Sequence, residues 1–145
     1  MLKFNKKVLG KLGEDVAVSV LESNGYRIIE RNFRIGRLGE IDIIARDSEF
    51  ICFVEVKTRT CDYFGMPSEA VGKKKQEKLR TLAMAYLKIK GLQHRYIRFD
   101  IAEIYVDRSG TSSENDGSNG RSSGLIVEGG NCLSVSNVNI IKNAF

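Results

Sequence analysis

The stretch Gly39 to Arg59, GEIDIIARDSEFICFVEVKTR, decides the fold, because it sets two apolar runs on either side of a polar turn. Ile41 to Ala45 and Ile51 to Val56 read as central strands, joined near Asp47-Ser48-Glu49. Glu40, Asp42, Glu55 and Lys57 interrupt these runs with charge. Strand alternation places Glu40, Asp42 and Ile44 on one face, with Ile41, Ile43 and Ala45 on the other. On the second strand, Phe53, Glu55 and Lys57 share a face opposed to Cys52, Val54 and Val56. A two-residue turn at Ser48-Glu49 pairs Asp47 with Phe50, and a four-residue loop keeps the same register. Counting back from either, Asp42 stands across from Glu55 and Glu40 across from Lys57.

Directly opposed residues have Cβ atoms ~4.5–5.5 Å apart, so two carboxylates there repel unless a proton or a cation lies between them. A hard divalent ion such as Mg2+ answers that repulsion, since it takes one or two carboxylates with substrate oxygens and water. Beside it, Lys57 would polarise a water attacking a phosphate or stabilise the developing negative charge. The plainer reading is a Glu40–Lys57 cross-strand ion pair, with Asp42 and Glu55 on a wet face. Four charges converging on one face of apolar strands favour the site.

Outward from the hairpin, Val8, Leu9, Leu12, Val16, Val20 and Leu21 recur at helical spacing and predict a helix from about Asn5 to Asn24, ended by Gly25. Tyr26 to Phe33 reads as a strand, followed by a turn between Gly36 and Gly39. Thr58 to Pro67 reads as a loop. A second helix is expected from Ser68 to Gly91, with Leu79, Leu82, Ala83, Tyr86 and Leu87 as its apolar stripe. Tyr96 to Val106 alternates like a strand, and LIVE and LSVSNVNII recover strand character near the end. Arg108 to Gly124 is rich in Ser, Gly and Asn and reads as a flexible insertion within a single domain spanning 1–145. The element order predicts an α/β layer with a mixed sheet.

Composition narrows the function. The apolar fraction of 42% and charged fraction of 28% are ordinary for a globular domain. No apolar run approaches the ~20 residues of a membrane span, and the first residues lack the apolar core of a secretory signal. Cys52, Cys61 and Cys132 are odd in number without a CxxC pair, which argues against a disulfide framework and for a cytoplasmic setting. A single histidine, His94, argues against His-rich metal sites and most Ser-His or Cys-His hydrolases. Net charge is +5, yet Lys73 to Arg98 alone holds nine basic residues against one acid. Lys73, Lys74, Lys75, Lys78 and Arg80 make this segment the expected grip on a polyanion, nucleic acid first. A solvated helix face is the alternative.

Asp42, twelve intervening residues and then Glu55-Val56-Lys57 resemble the PD-(D/E)xK nuclease core, as in archaeal Holliday-junction resolvases and restriction endonucleases. Ile41 stands where that motif has proline. GEDVA, GEIDIIA, FVEVKTR, Lys75-Gln76, RFDIA and the terminal NAF, in that order, resemble the bacterial YraN (UPF0102) family over nearly the whole chain outside the insertion. The resemblance implies a restriction endonuclease-like α/β core, a mixed β-sheet flanked by helices. It implies Asp42 and Glu55 as metal-binding acids, Lys57 as the catalytic lysine, and Glu14 as the first-helix acid of resolvase-like members. Glu14 borders the apolar face among Gly10, Gly13, Ala17 and Leu21, whose small members leave room for it to turn toward the sheet; a surface acid is the alternative. Gln76 falls where related nucleases keep a supporting polar residue, with a polar cap to the core as its other reading.

These readings converge on a Mg2+- or Mn2+-dependent endonuclease acting on DNA, with branched or structured DNA as a candidate substrate and a homodimer as a candidate assembly. A non-catalytic nucleic-acid-binding module of the same fold is the alternative. An adaptor whose basic face meets an acidic protein is the third.

Overall fold

Asn5 opens the first helix, α1 (Lys6–Ser23), with an extended backbone and a side chain that accepts the Lys7 N–H at 3.0 Å. The computed structural model describes residues 5–60, 71–109, 126–128 and 131–145. After α1 come β1 (Arg27–Ile35), β2 (Gly39–Asp47) and β3 (Phe50–Thr60), then α2 (Lys73–Lys90), β4 (Tyr96–Ser109), β5 (Ile126–Glu128) and β6 (Asn131–Ile141). The strands form one mixed sheet in the order β1-β2-β3-β4-β6-β5. Only β3 and β4 run parallel, which requires the crossover that contains α2.

One helix covers each face. Leu12, Ala17 and Leu21 of α1 pack on Ile43, Ala45, Cys52, Val54, Ala102 and Ile104. Leu79, Leu82, Ala83, Tyr86 and Leu87 of α2 pack on Ile41, Ile44, Ile51, Phe53, Phe99 and Ile101. Strands β3 and β4 are thus buried on both sides, and β3 accordingly reads as a continuous apolar run from Phe50 to Val54. This is the α/β core, a mixed sheet flanked by helices, that the sequence predicts.

Several boundaries move. The second helix begins at Lys73, where extended Gly72 forms its N-cap, and not at Ser68, which lies outside the described residues. Strand β4 runs on through Arg108 and Ser109, taking the first two residues of the expected insertion, because β6 pairs with them. The rest of that insertion falls outside the described residues. Of the loop expected over Thr58 to Pro67, Thr58 to Thr60 instead extend β3, because β4 pairs with them, and the remainder falls outside the described residues.

The hairpin holds the most consequential departure. Its turn pairs Asp47 with Phe50, and the ladder continues in the expected register to Ile43–Val54. There it ends. Strand β3 goes on beside β4 as far as Thr60–Val106, while β2 stays with β1 as far as Gly39. The sheet therefore opens into a fork at Asp42, and neither Asp42–Glu55 nor Glu40–Lys57 is a rung. Alternation also slips at the fork. Ile43 and Ala45 face α1 and Ile44 faces α2, yet Ile41 faces α2 as well, so it does not share the Ile43 face. Across the same step of β1, Asn32 adopts a positive φ of 53°, a local distortion that lets both strands turn.

Candidate metal and nucleic-acid site

The fork is where backbone pairing fails, and Asp42 fills the gap. Its Oδ2 accepts the Val56 N–H at 2.8 Å, taking the place of a missing ladder bond. That bond fixes the carboxylate between β2 and β3, close to Glu55. Burial, then the Glu55 charge, push the Asp42 carboxyl up to about 7, against the Val56 hydrogen bond and the Lys75 charge, which favour ionisation.

Glu14 reaches the same place because α1 approaches β3 closely. A Cβ added at Gly13 would lie 1.8 Å from Thr58 Oγ1, so only glycine permits this separation. The next residue, Glu14, then meets Asp42. One carboxylate oxygen from each of Glu14, Glu40 and Asp42 lies within 4.8 Å of the other two. Glu55 stands outside that trio but lines the same cavity of about 430 Å³, between Gly10 and Glu14 of α1 and Asp42, Glu55 and Thr58 of the fork. Its Oε1 meets Lys75 Nζ at 3.4 Å, while Oε2 is buried with no hydrogen-bond partner among the described residues. Such an oxygen could take a bond from a water or a cation outside the chain.

Glu40 is the residue that sequence reasoning missed as a ligand candidate. Its partner is Arg34 on β1, at 2.6 Å, and not Lys57 across the hairpin, since β2 has parted from β3 by then. The slip at Asp42 brings Glu40 and Asp42 to the α1 side together. The usable signal was their spacing of two residues after Gly39, whose φ of 132° starts the strand beneath the aliphatic stem of Lys78. Arg31 completes the cationic fringe, 2.7 Å from Asp15 and 3.8 Å from Glu14.

Lys57 continues the face of Phe53 and Glu55 and stands in register with Glu103 of β4. Glu103 is buried and accepts bonds from Tyr105 Oη at 3.2 Å and Asn139 Nδ2 at 3.4 Å. Among the described residues, Gln76 makes no hydrogen bond to the fork carboxylates. Its Nε2 donates to the Val71 carbonyl at 2.8 Å, and its Oε1 accepts from Arg80 at 3.4 Å.

The basic segment divides. Lys73, Lys74 and Lys75 are exposed in the first turn of α2, which contains no acid. Cations at the positive end of a helix dipole are unfavourable there by about 0.3–1 kcal/mol each, a cost that the Glu55 carboxylate offsets at Lys75. Arg80 departs from the expected grip: its guanidinium lies over the Phe99 and Phe145 rings, at 5.9 and 5.5 Å from their centroids. Arg98 leaves the basic surface altogether, pairing with Asp100 and Asp47 in the sheet.

Comparison with known proteins gives a consistent answer. A family model described as "Uncharacterised protein family UPF0102" matches residues 13–104, a span that takes in Glu14, the fork and α2. The UPF0102 protein of Acetivibrio thermocellus is 41% identical over 143 residues, covering 99% of this chain and 95% of its own length. The UPF0102 proteins of Alkaliphilus metalliredigens and Clostridium perfringens are each 49% identical, over 70% and 75% of this chain and 89% of their own lengths. Among the described residues no helix is long and apolar enough to cross a membrane.

Proposed function

Because the chain belongs to the uncharacterised protein family UPF0102, a name that carries no reaction, we propose its function from the site itself: a metal-dependent endonuclease that hydrolyses DNA phosphodiester bonds. The observation that carries this reading is the fork, where Glu14, Glu40 and Asp42 converge and Glu55 lines the same cavity, its Oε2 buried without a donor among the described residues. The donors are hard carboxylate oxygens without thiol or imidazole, the set that suits Mg2+ or Mn2+. Asp42, Glu55 and Glu14 would hold the ion, with Glu40 as a fourth acid. Bound there, it would supply Lewis acidity and a water of lowered pKa.

The chain's own groups do the rest. The Val56 N–H fixes the Asp42 carboxylate. Lys57, two residues beyond Glu55, brings an ammonium to stabilise negative charge on the phosphate. Lys73, Lys74 and Lys75 attract the DNA backbone without regard to sequence. Branched or otherwise structured DNA is the substrate to test first, with a homodimer as the assembly such a substrate would suit.

The test joins binding to chemistry. An ion that binds the folded protein alone stabilises it by about 2.7 kcal/mol at 100-fold excess over its dissociation constant. Wild-type protein should gain that stability from Mg2+ or Mn2+ and cleave at least one of linear, nicked, flapped or four-way DNA. Lys57→Ala should keep the gain and lose the cleavage. A melting temperature indifferent to both ions, with and without DNA, would sink the proposal. The second reading, a non-catalytic nucleic-acid-binding module, draws support from Arg31, Arg34 and Lys75, which already meet Glu14, Glu40 and Glu55. Salt-sensitive DNA binding with no cleavage under either metal would select it.

A further inference from the structure

A second set of like charges lies at the other end of the sheet. Arg27 at the start of β1 and Arg46 near the end of β2 are direct cross-strand partners, so their side chains leave the same face. Like charges directly opposed on neighbouring strands are destabilising. Arg95, between α2 and β4, joins them around a cleft of about 280 Å³. Ile28, Ile29, Ile51 and Leu92 form the rest of its wall, and no acidic residue lines it among the described residues.

This convergence is not balanced within the protein. Arg31, Arg34 and Arg98 each meet a carboxylate. Arg27, Arg46 and Arg95 have no carboxylate partner among the described residues. Arg46 is nonetheless held in place, its Nε donating to the Ser48 carbonyl at 2.9 Å. The arrangement thus spends charge repulsion on a fixed guanidinium and two neighbours that share one open cleft. Ile29 adds an apolar surface that is 43% exposed.

We infer that the Arg27–Arg46–Arg95 cleft is a phosphate-binding site for one nucleotide unit. Guanidinium forks match phosphate oxygens in geometry and charge, and the isoleucine and leucine wall suits the flat face of a base. The volume lies just below the ~300 Å³ at which sites for drug-sized molecules begin, which fits one nucleotide and little more. Four residue steps along β2 lead from Asp42 to Arg46, about 13 Å at ~3.3 Å per residue, so this site is separate from the carboxylate fork. It does not rest on the nuclease reading.

The cleft is tested in EDTA, where failure of the metal site has no influence. Adenosine 5′-monophosphate, adenosine and a short single-stranded oligonucleotide would be titrated calorimetrically into wild-type protein, Arg27→Gln/Arg46→Gln and Lys73→Ala/Lys74→Ala. The monophosphate should bind wild type at least ~10-fold more tightly than adenosine, and the arginine double variant should lose about 10-fold or more in affinity, as expected for charge-assisted hydrogen bonds. The lysine variant should bind the monophosphate as wild type does. The melting temperature of the arginine variant should be no lower than that of wild type, since repulsion is removed. Competition between oligonucleotide and monophosphate assigns the cleft to a nucleotide within a strand, and lack of competition assigns it to a free nucleotide; both support the site. Equal binding of adenosine and its monophosphate, or monophosphate affinity unchanged in the arginine variant, overturns it.

Discussion

Asp100 and Asp42 are both aspartates of the central sheet, and their surroundings differ in how far donors meet the charge. Asp100 is fully buried, yet each of its oxygens is met by donors. Oδ1 accepts from Arg98 Nε at 2.8 Å and the Asn143 N–H at 2.9 Å, and Oδ2 from Arg98 Nη2 at 2.9 Å and Tyr26 Oη at 3.1 Å. Arg98 also donates to Asp47 at 2.9 Å, which Lys142 joins at 2.9 Å. The Arg98 and Lys142 hydrogen bonds hold the Asp47 carboxyl below its ordinary range. Burial, then the Asp100 charge, raise the Tyr26 hydroxyl well above its own, so it remains a donor. At Asp42 the nearest strong influence after burial is another carboxylate, and its carboxyl rises to about 7. Charge closed on itself stabilises a fold; charge left open destabilises it.

The largest effect should come from breaking the closed network. Asp100→Ala leaves Arg98 half-buried without its main partner, and removal of one member of a buried pair is destabilising by about 3–5 kcal/mol. Denaturant unfolding measures it. A loss under ~1 kcal/mol would mean that Asp47 and Tyr26 suffice to hold Arg98.

Next comes the close approach that brings Glu14 to the fork. Gly13→Ala must push α1 away from Thr58, with a loss of about 1–3 kcal/mol typical of overpacking. Thr58→Ala in the same chain should recover part of it by removing the clashing hydroxyl. No recovery in the double variant would place the strain elsewhere than at Thr58.

Asp42→Asn should act in the opposite direction. The folded pKa of about 7 lies above the ordinary 3.8, so between those values the folded chain holds a proton that the unfolded chain has released. Stability contributed by this group is complete below pH ~4 and is lost as pH rises through 7. Asn keeps an oxygen for the Val56 N–H and carries no charge. The variant should therefore match wild type near pH 4 and exceed it near pH 8, by on the order of 2 kcal/mol after allowance for partial exposure. Equal stabilities at pH 8 would show that the fork acids do not repel.

The smallest effect belongs to Lys75→Ala. An exposed ion pair contributes about 0.2–1 kcal/mol, so global stability should barely move. The sensitive observable is the Asp42 carboxyl resonance, whose midpoint should rise above its wild-type value, because the Lys75 charge lowers it. A downward movement would contradict the geometry of Lys75 and Glu55.

The sequence was most legible where its signals are local. The helix through Ser23, the Ser48-Glu49 turn and the hairpin register as far as Ile43–Val54 each follow from residues within a few positions of one another. So does the sorting of Cys52 and Val54 from Phe53. The same alternation misplaced Ile41, because period-two counting cannot foresee where a strand changes partner. For the same reason it sets Glu40 across from Lys57, whereas Glu40 sits with Glu14 and Asp42. Arg80 and Arg98 looked like surface cations because a charge run gives no hint of Phe145 or Asp47 as their partners.

By itself, then, the amino-acid sequence determined the elements, their order, the two-faced burial of the sheet and the presence of acids and lysine on its central hairpin. Alternation, capping and turn chemistry act over a few residues and are written in the chain directly. Tertiary structure alone decided which charges close and which stay open. Asp100 finds Tyr26 across 74 positions and Asn143 across 43, whereas Asp42 finds Glu55 and Glu14 with an unsatisfied oxygen nearby. Electrostatic balance depends on distance and burial in three dimensions, and neither is a property of neighbours in sequence.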